Sequence, residues 1–179
     1  MIIAFAIFFS QNLHAQKRVQ VASPDKRITF AVTLGEEGPA YSVLFKKQVL
    51  IDNSPLRLEF DNGKFGRYLR LKKPVYRTLE ENYELIVGKS RQVHSVCNEV
   101  IIPFEEKEAP YRKINLAVRA FNDGVAFRYE FPQQAGWSSY VMYDEETTFH
   151  IQGDPKVMTL YLPDYLLSHE GAHTYTTYS

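Results

Sequence analysis

Beyond its first fifteen residues the chain is a succession of short segments rich in Val, Ile, Tyr, Phe and Thr, separated by turn formers, and no ten-residue window carries a helical apolar period. The pattern predicts an all-β chain. Strands are expected at 19–22, 27–34, 41–45, 56–60, 68–71, 75–87, 92–103, 113–121, 125–131, 147–151, 157–160 and near 174–178. Ser23-Pro24-Asp25, residues 35–39, Asp52-Asn53-Ser54-Pro55, Asp61-Asn62-Gly63 and Gly153-Asp154-Pro155 mark turns, because Gly, Pro, Asn and Asp supply the backbone angles that turns need. More than ten strands without helices cannot bury both faces in one flat sheet. The expected fold is a twisted two-sheet β-sandwich of mostly antiparallel strands, forming one domain over residues 16–179.

The clearest local unit is the hairpin over 113–131. Ile114, Leu116, Val118 and Ala120 alternate with Lys113, Asn115, Ala117 and Arg119 before Asp123-Gly124, a pair that favours a two-residue mirror-image turn. With that loop Ala120 faces Phe127, Val118 faces Tyr129, Leu116 faces Phe131, and every apolar residue falls on one face. The other face sets Arg119 opposite Arg128, a repulsion that calls either for an intervening carboxylate such as diagonal Glu130 or for a well-hydrated face.

Charge removes several function classes. Lys plus Arg and Asp plus Glu both number 21 in 179 residues, so no basic surface points to nucleic acid or to an anionic membrane. Cys97 is the only cysteine, which excludes an intrachain disulfide and a cysteine-based metal site and leaves packing as its role. Residues 1–15 read as a secretory signal peptide, with an apolar run from Ile2 to Phe9 and a cleavage point between Ala15 and Gln16; the alternative is an apolar first strand. The run is too short to span a bilayer, and an exported protein, periplasmic or secreted, is expected. The acidic cluster Glu105-Glu106-Lys107-Glu108 reads as solvated loop.

Several segments resemble the N-terminal domain of family 97 glycoside hydrolases, secreted or periplasmic α-glucosidases and α-galactosidases found largely in Bacteroidetes. The resemblance rests on Ser23-Pro24-Asp25 followed by a strand, on residues 56–60 after a Ser-Pro turn, and above all on the run from Val118 through Phe121-Asn122-Asp123-Gly124 to Arg128-Tyr129. Asp144-Glu145, Thr148-Phe149 and Gly153-Asp154 continue it. It implies a three-part enzyme whose catalytic carboxylates lie on a central (β/α)8 barrel, absent from this chain, acting on an α-linked oligosaccharide. No catalytic residue is therefore expected here. It further implies that Glu170 is a calcium ligand at the rim of the active site, with the remaining ligands on the barrel. Calcium needs six to eight oxygens, so tight binding to this chain alone is not expected.

Two other classes compete. His169-Glu170-Gly171-Ala172-His173 fits a zinc-peptidase pattern, in which His169 and His173 one helical turn apart hold the metal and Glu170 acts as base. Gly171 inside the motif and the β-prone Thr174-Tyr175-Thr176 after it oppose the helix this needs. A stand-alone carbohydrate-binding module would need an aromatic platform, for which Tyr161, Tyr165, Tyr175 and Tyr178 are the candidates. Trp137 reads either as an exposed loop contact or as a cap on the sandwich.

Overall fold

The computed structural model describes residues 17–88, 91–162 and 171–177; among them are fourteen strands and no helix. β1 (Lys17–Ala22), β2 (Ile28–Gly35), β3 (Gly38–Phe45) and β4 (Gln48–Pro55) form an antiparallel meander in that order. β5 (Leu58–Phe60) and β6 (Gly63–Phe65) make a short hairpin, and β7 (Leu69–Leu71) and β8 (Val75–Glu84) both pair with one edge of the long β9 (Gln92–Glu106). The other edge of β9 takes β10 (Lys113–Ala120), and β11 (Val125–Glu130) follows it. β12 (Met142–Glu145) adds to β5, while β13 (Lys156–Leu160) and β14 (His173–Thr177) form a separate two-stranded ribbon.

The two large sheets face each other through the apolar positions that alternation selects. Val19, Val21, Phe30, Val32, Tyr41 and Val43 on one side meet Val100, Ile102, Phe104, Ile114, Leu116 and Val118 on the other, all in one buried cluster. Phe30 stacks on Tyr41 at 5.1 Å, and Phe127 of β11 tilts against both rings at 5.7 and 5.3 Å, so an aromatic knot joins the sheets. The sandwich expected from the sequence is the fold observed. Asn122 accepts a hydrogen bond at Oδ1 from the backbone N–H of Asp25, 3.0 Å away, and Asn98 Nδ2 donates to the Ala22 carbonyl at 2.9 Å.

Local expectations needed correction where tertiary pairing overrode local preference. The hairpin over 113–131 closes on Asn122-Asp123 rather than Asp123-Gly124, with Phe121 N donating to Gly124 O at 2.8 Å. Its register is Leu116↔Tyr129, Val118↔Phe127 and Ala120↔Val125, two residues from that expected; a shift of two leaves every side chain on its expected face. None of residues 122–124 has the positive φ that a mirror-image turn demands. Arg119 consequently faces Ala126, and Arg128 faces Ala117, so the expected Arg119–Arg128 clash does not arise.

Asp52-Asn53-Ser54-Pro55 is not a turn but the end of β4. Register shifts opposite Tyr41–Leu44 absorb its turn-prone residues, and Ser42 Oγ bonds both Asp52 Oδ1 and Asn53 N. The strand expected at 147–151 is replaced by an irregular arm beside β4, bridged only at Ile51↔Ile151 and by spaced bonds such as Asp52 N to His150 O at 3.1 Å. Glu105 and Glu106 belong to β9 and not to a loop, and both are largely covered.

Candidate functional site

The sequence placed the functional loop between β13 and β14, and the two strands do bring its flanks together. Met158 sits opposite Tyr175 and Leu160 opposite His173, with Met158, Tyr161 and Tyr175 all well exposed. His169, Glu170, Tyr165 and Tyr178 lie outside the described residues. Of the peptidase pattern, Gly171 and Ala172 are irregular and His173 opens a strand, so the described half of the motif has none of the helical geometry zinc ligation requires. Among the described residues no group of three or more His, Cys, Asp or Glu side chains is placed to hold a metal ion.

Trp137 proves to be a cap. It stacks on Tyr140 at 4.8 Å and meets Phe60 edge-on at 5.2 Å, which leaves no indole face for a sugar ring. Cys97 is likewise buried, and burial pushes its thiol above its ordinary range, which makes it a packing residue and a poor nucleophile.

The ionic clusters were the part the sequence reading missed. Arg77 on β8, Glu99 on β9 and Arg119 on β10 stand in one row across three adjacent strands, on the sheet face turned away from the core. Arg119 Nε donates to Glu99 Oε2 at 2.8 Å, and Arg77 Nε donates to the other carboxylate oxygen. Burial pushes the Glu99 carboxyl up, but the two guanidinium hydrogen bonds outweigh it and hold the group below its usual range. The alternation of β9 signals a non-core position for Glu99; its burial comes from the flanking arginines, which no local pattern reveals.

Arg112 is the second cluster and is itself only 2% exposed. Its Nε and Nη2 donate to the two oxygens of Glu106 at 2.9 and 2.6 Å, its Nη1 to Asn62 Oδ1 and the Gly63 carbonyl, and its Nη2 also to the Lys64 carbonyl. The guanidinium lies 5.3 Å from the Phe60 ring centre and 5.8 Å from that of Phe65. The β5–β6 hairpin is thereby clasped to the end of β9.

Two half-buried carboxylates, Glu59 and Glu146, share one cation, both reaching Lys64 Nζ, at 3.3 and 2.6 Å. The ammonium occupies the space between them, and its hydrogen bond holds the Glu146 carboxyl below its ordinary value. A general acid in sugar hydrolysis needs the opposite displacement. Every described carboxylate with a displaced pKa, namely Asp25, Glu99, Glu105 and Glu146, is displaced downward by hydrogen-bond donors around it. These groups are set to stay ionised and bonded within the fold.

The family model described as glycosyl-hydrolase 97 N-terminal matches residues 21–179. The chain belongs to glycoside hydrolase family 97, as part of its N-terminal domain. A retaining alpha-galactosidase of Bacteroides thetaiotaomicron is 23% identical over 128 residues, which cover 71% of this chain and 18% of that protein. A family 97 enzyme from Pseudoalteromonas sp. strain K8, solved in complex with acarbose, superposes with a TM-score of 0.79 at 25% identity, over 88% of this chain and 24% of the enzyme. A beta-arabinopyranosidase crystal structure gives a TM-score of 0.71 at 28% identity, over 78% of this chain and 22% of the other. This family 97 domain thus spans about a fifth of the length of the relatives it matches. No helix among the described residues is long and apolar enough to cross a membrane.

Proposed function

We propose that this chain is the non-catalytic β-sandwich module of an exported family 97 α-glycosidase. In the intact enzyme it walls one side of the pocket for an α-linked oligosaccharide and presents Glu170 as one calcium ligand. The observation that carries the reading is the family match: the model described as glycosyl-hydrolase 97 N-terminal covers residues 21–179, and the chain spans about a fifth of the relatives it matches. The described carboxyls with displaced pKa values agree with it, since each is held down in an ion pair or turn. Catalytic groups then come from the (β/α)8 barrel of the rest of the enzyme. Glu170 offers at most two of the six to eight oxygens that calcium takes, so the other ligands also come from outside this chain. The apolar leader at residues 1–15 supports export to the periplasm or medium.

The test is an assay of the purified chain against aryl α-galactoside and α-glucoside, with calorimetric titration of calcium, zinc and a malto-oligosaccharide. Neither hydrolysis nor tight binding is expected. Hydrolysis abolished by a single carboxylate substitution would overturn the reading. Sugar binding lost in Tyr175→Ala would make the chain a stand-alone carbohydrate-binding module, and peptidase activity lost in His173→Ala would favour the zinc site.

A further inference from the structure

Two tyrosines stand where the backbone does not favour a tyrosine. Among the described residues six other than glycine have a positive φ; Lys26, Lys46, Lys47 and Asn53 carry polar side chains, whereas Tyr68 at 53° and Tyr111 at 61° are bulky aromatics. A left-handed backbone crowds the Cβ of any L-residue, and a turn selected for shape alone would carry Gly or Asn there. Burial does not explain the choice. Tyr68 is 63% exposed and Tyr111 59%, and among the described residues neither hydroxyl is hydrogen-bonded and neither ring stacks on another. Strain of this kind gathers where a side chain is held in a set position for use.

The fold brings the two together at the end of β9 that the Arg112 clasp secures. The Tyr68 carbonyl accepts a hydrogen bond from Lys107 N at 2.9 Å, and Tyr111 N donates to the Glu108 carbonyl at 2.9 Å. Because β7 and β10 flank β9 on opposite edges, the tyrosines stand on either side of Lys107, their backbones two strand spacings, ~10 Å, apart. Leu69, Glu106 and Arg112 form the covered row beside them, which leaves the neighbouring row of Tyr68, Lys107 and Tyr111 to solvent. Each tyrosine is thus fixed by the anchored residue that follows it. Lys107 and Glu108 are exposed beside the rings, and among the described residues neither takes an ion pair.

We propose that Tyr68 and Tyr111 form a platform for two rings of an α-linked oligosaccharide, with Lys107 and Glu108 bonding its hydroxyls. The C–H face of a pyranose lies against an aromatic ring, while its hydroxyls need donors and acceptors close by. Lys107 supplies donors, Glu108 acceptors and the tyrosine hydroxyls both. A protein partner would instead need a contiguous apolar centre, and here a lysine separates the rings. Rings fixed before the ligand arrives lose little freedom when it binds. Two rings alone bind weakly, which suits a site that keeps a sugar chain near an enzyme rather than one that cleaves it. The choice of an α-linked ligand rests on the α-glycosidase reading.

Titration of the isotope-labelled full chain with maltohexaose and with an α-galacto-oligosaccharide, followed by amide NMR shifts, tests the platform. Saturable shifts are expected at residues 67–69 and 107–112 with at least one of the two sugars. Tyr68→Ala and Tyr111→Ala should each weaken that binding about fivefold or more, while Tyr68→Phe keeps the ring and should stay within about threefold of the native chain. Tyr68→Gly should lose affinity as the alanine variant does yet melt above it, because glycine takes the left-handed angle without strain; loss of the ring is thereby separated from misfolding. Tyr175→Ala should leave the affinity unchanged. No saturable shift at these residues with either sugar, an affinity that survives either alanine substitution, or shifts gathered instead at Tyr161 and Tyr175 overturns the proposal. Absence of binding leaves the module reading standing, since hydrolysis by the chain, and not silence towards sugar, is what overturns that one.

Discussion

Replacing Arg112 by Met keeps an unbranched apolar stem between the Phe60 and Phe65 rings but removes all the guanidinium hydrogen bonds. The loss is large because the group cannot be re-solvated in place: Arg112 is 2% exposed, and its partner Glu106 keeps only 10% of its side-chain surface. Breaking a buried ion pair by removing one partner costs about 3–5 kcal/mol. For a chain of this size each kcal/mol lowers the melting temperature by about 2–4 °C. The expected drop is therefore roughly 6–20 °C. Urea denaturation and thermal melting by circular dichroism measure it. Arg112→Lys retains the charge but not the planar fork, and should fall between Met and the native residue. Pairing Arg112→Met with Glu106→Gln should cost less than the sum of the two single changes, because the stranded carboxylate is then gone. Amide exchange in the β5–β6 hairpin should accelerate ahead of that in β10. A melting temperature for Arg112→Met within about 2 °C of the native chain, which at this size is under ~1 kcal/mol, would refute the assignment of Arg112 as the clasp.

Two further outcomes are expected. Asp25 is held at about 2 against an ordinary 3.8, chiefly by the Ser23 hydroxyl and the Arg27 N–H, and Glu99, Glu105 and Glu146 are also held below 4.5. Carboxyls depressed in the folded state stabilise it above their unfolded pKa and lose that contribution as pH falls through the folded one; the urea midpoint should decline from near pH 4.5 towards about pH 2, and Asp25→Asn should flatten the acid end of that decline. Gly38→Ala should destabilise by at least ~1 kcal/mol, because φ there is +116° and a Cβ would stand 2.5 Å from the Gly66 carbonyl oxygen. Gly63→Ala, at φ +107° with no atom within 4 Å, should cost less, and equal costs would contradict the close approach of the two backbones.

What the sequence made legible was whatever alternation controls. The faces of β2, β3, β9 and β10 follow from period two, and the core residues Phe30, Val32, Val100, Ile102, Leu116 and Val118 are those the pattern selects. Register was not legible. The turn at 121–124 departs from the local preference of Asp-Gly, and its Asn122 side chain takes a bond from Asp25, a contact across 97 positions that no local pattern reveals. The ionic rows were hidden for the same reason: Glu99 looks like any outward strand residue until β8 and β10 bring Arg77 and Arg119 alongside it. Of the expected site residues, only His173, Tyr161 and Tyr175 lie among those described, and all three are exposed.

The hydrogen bond between Asp25 and Asn122 has a consequence for reading kinship in chains of this type. Ser23-Pro24-Asp25 and Asn122-Asp123-Gly124 both belong to the strings that carry the family resemblance, and they meet at one joint, the first turn of one sheet fastened to the last turn of the other. The donor is the Asp25 backbone N–H, so the joint depends on the Asn122 amide and on the path of the first turn, not on the Asp25 carboxylate. The signature is thus a trademark of how the two sheets are hinged, and a protein bearing it inherits an architecture before it inherits a reaction.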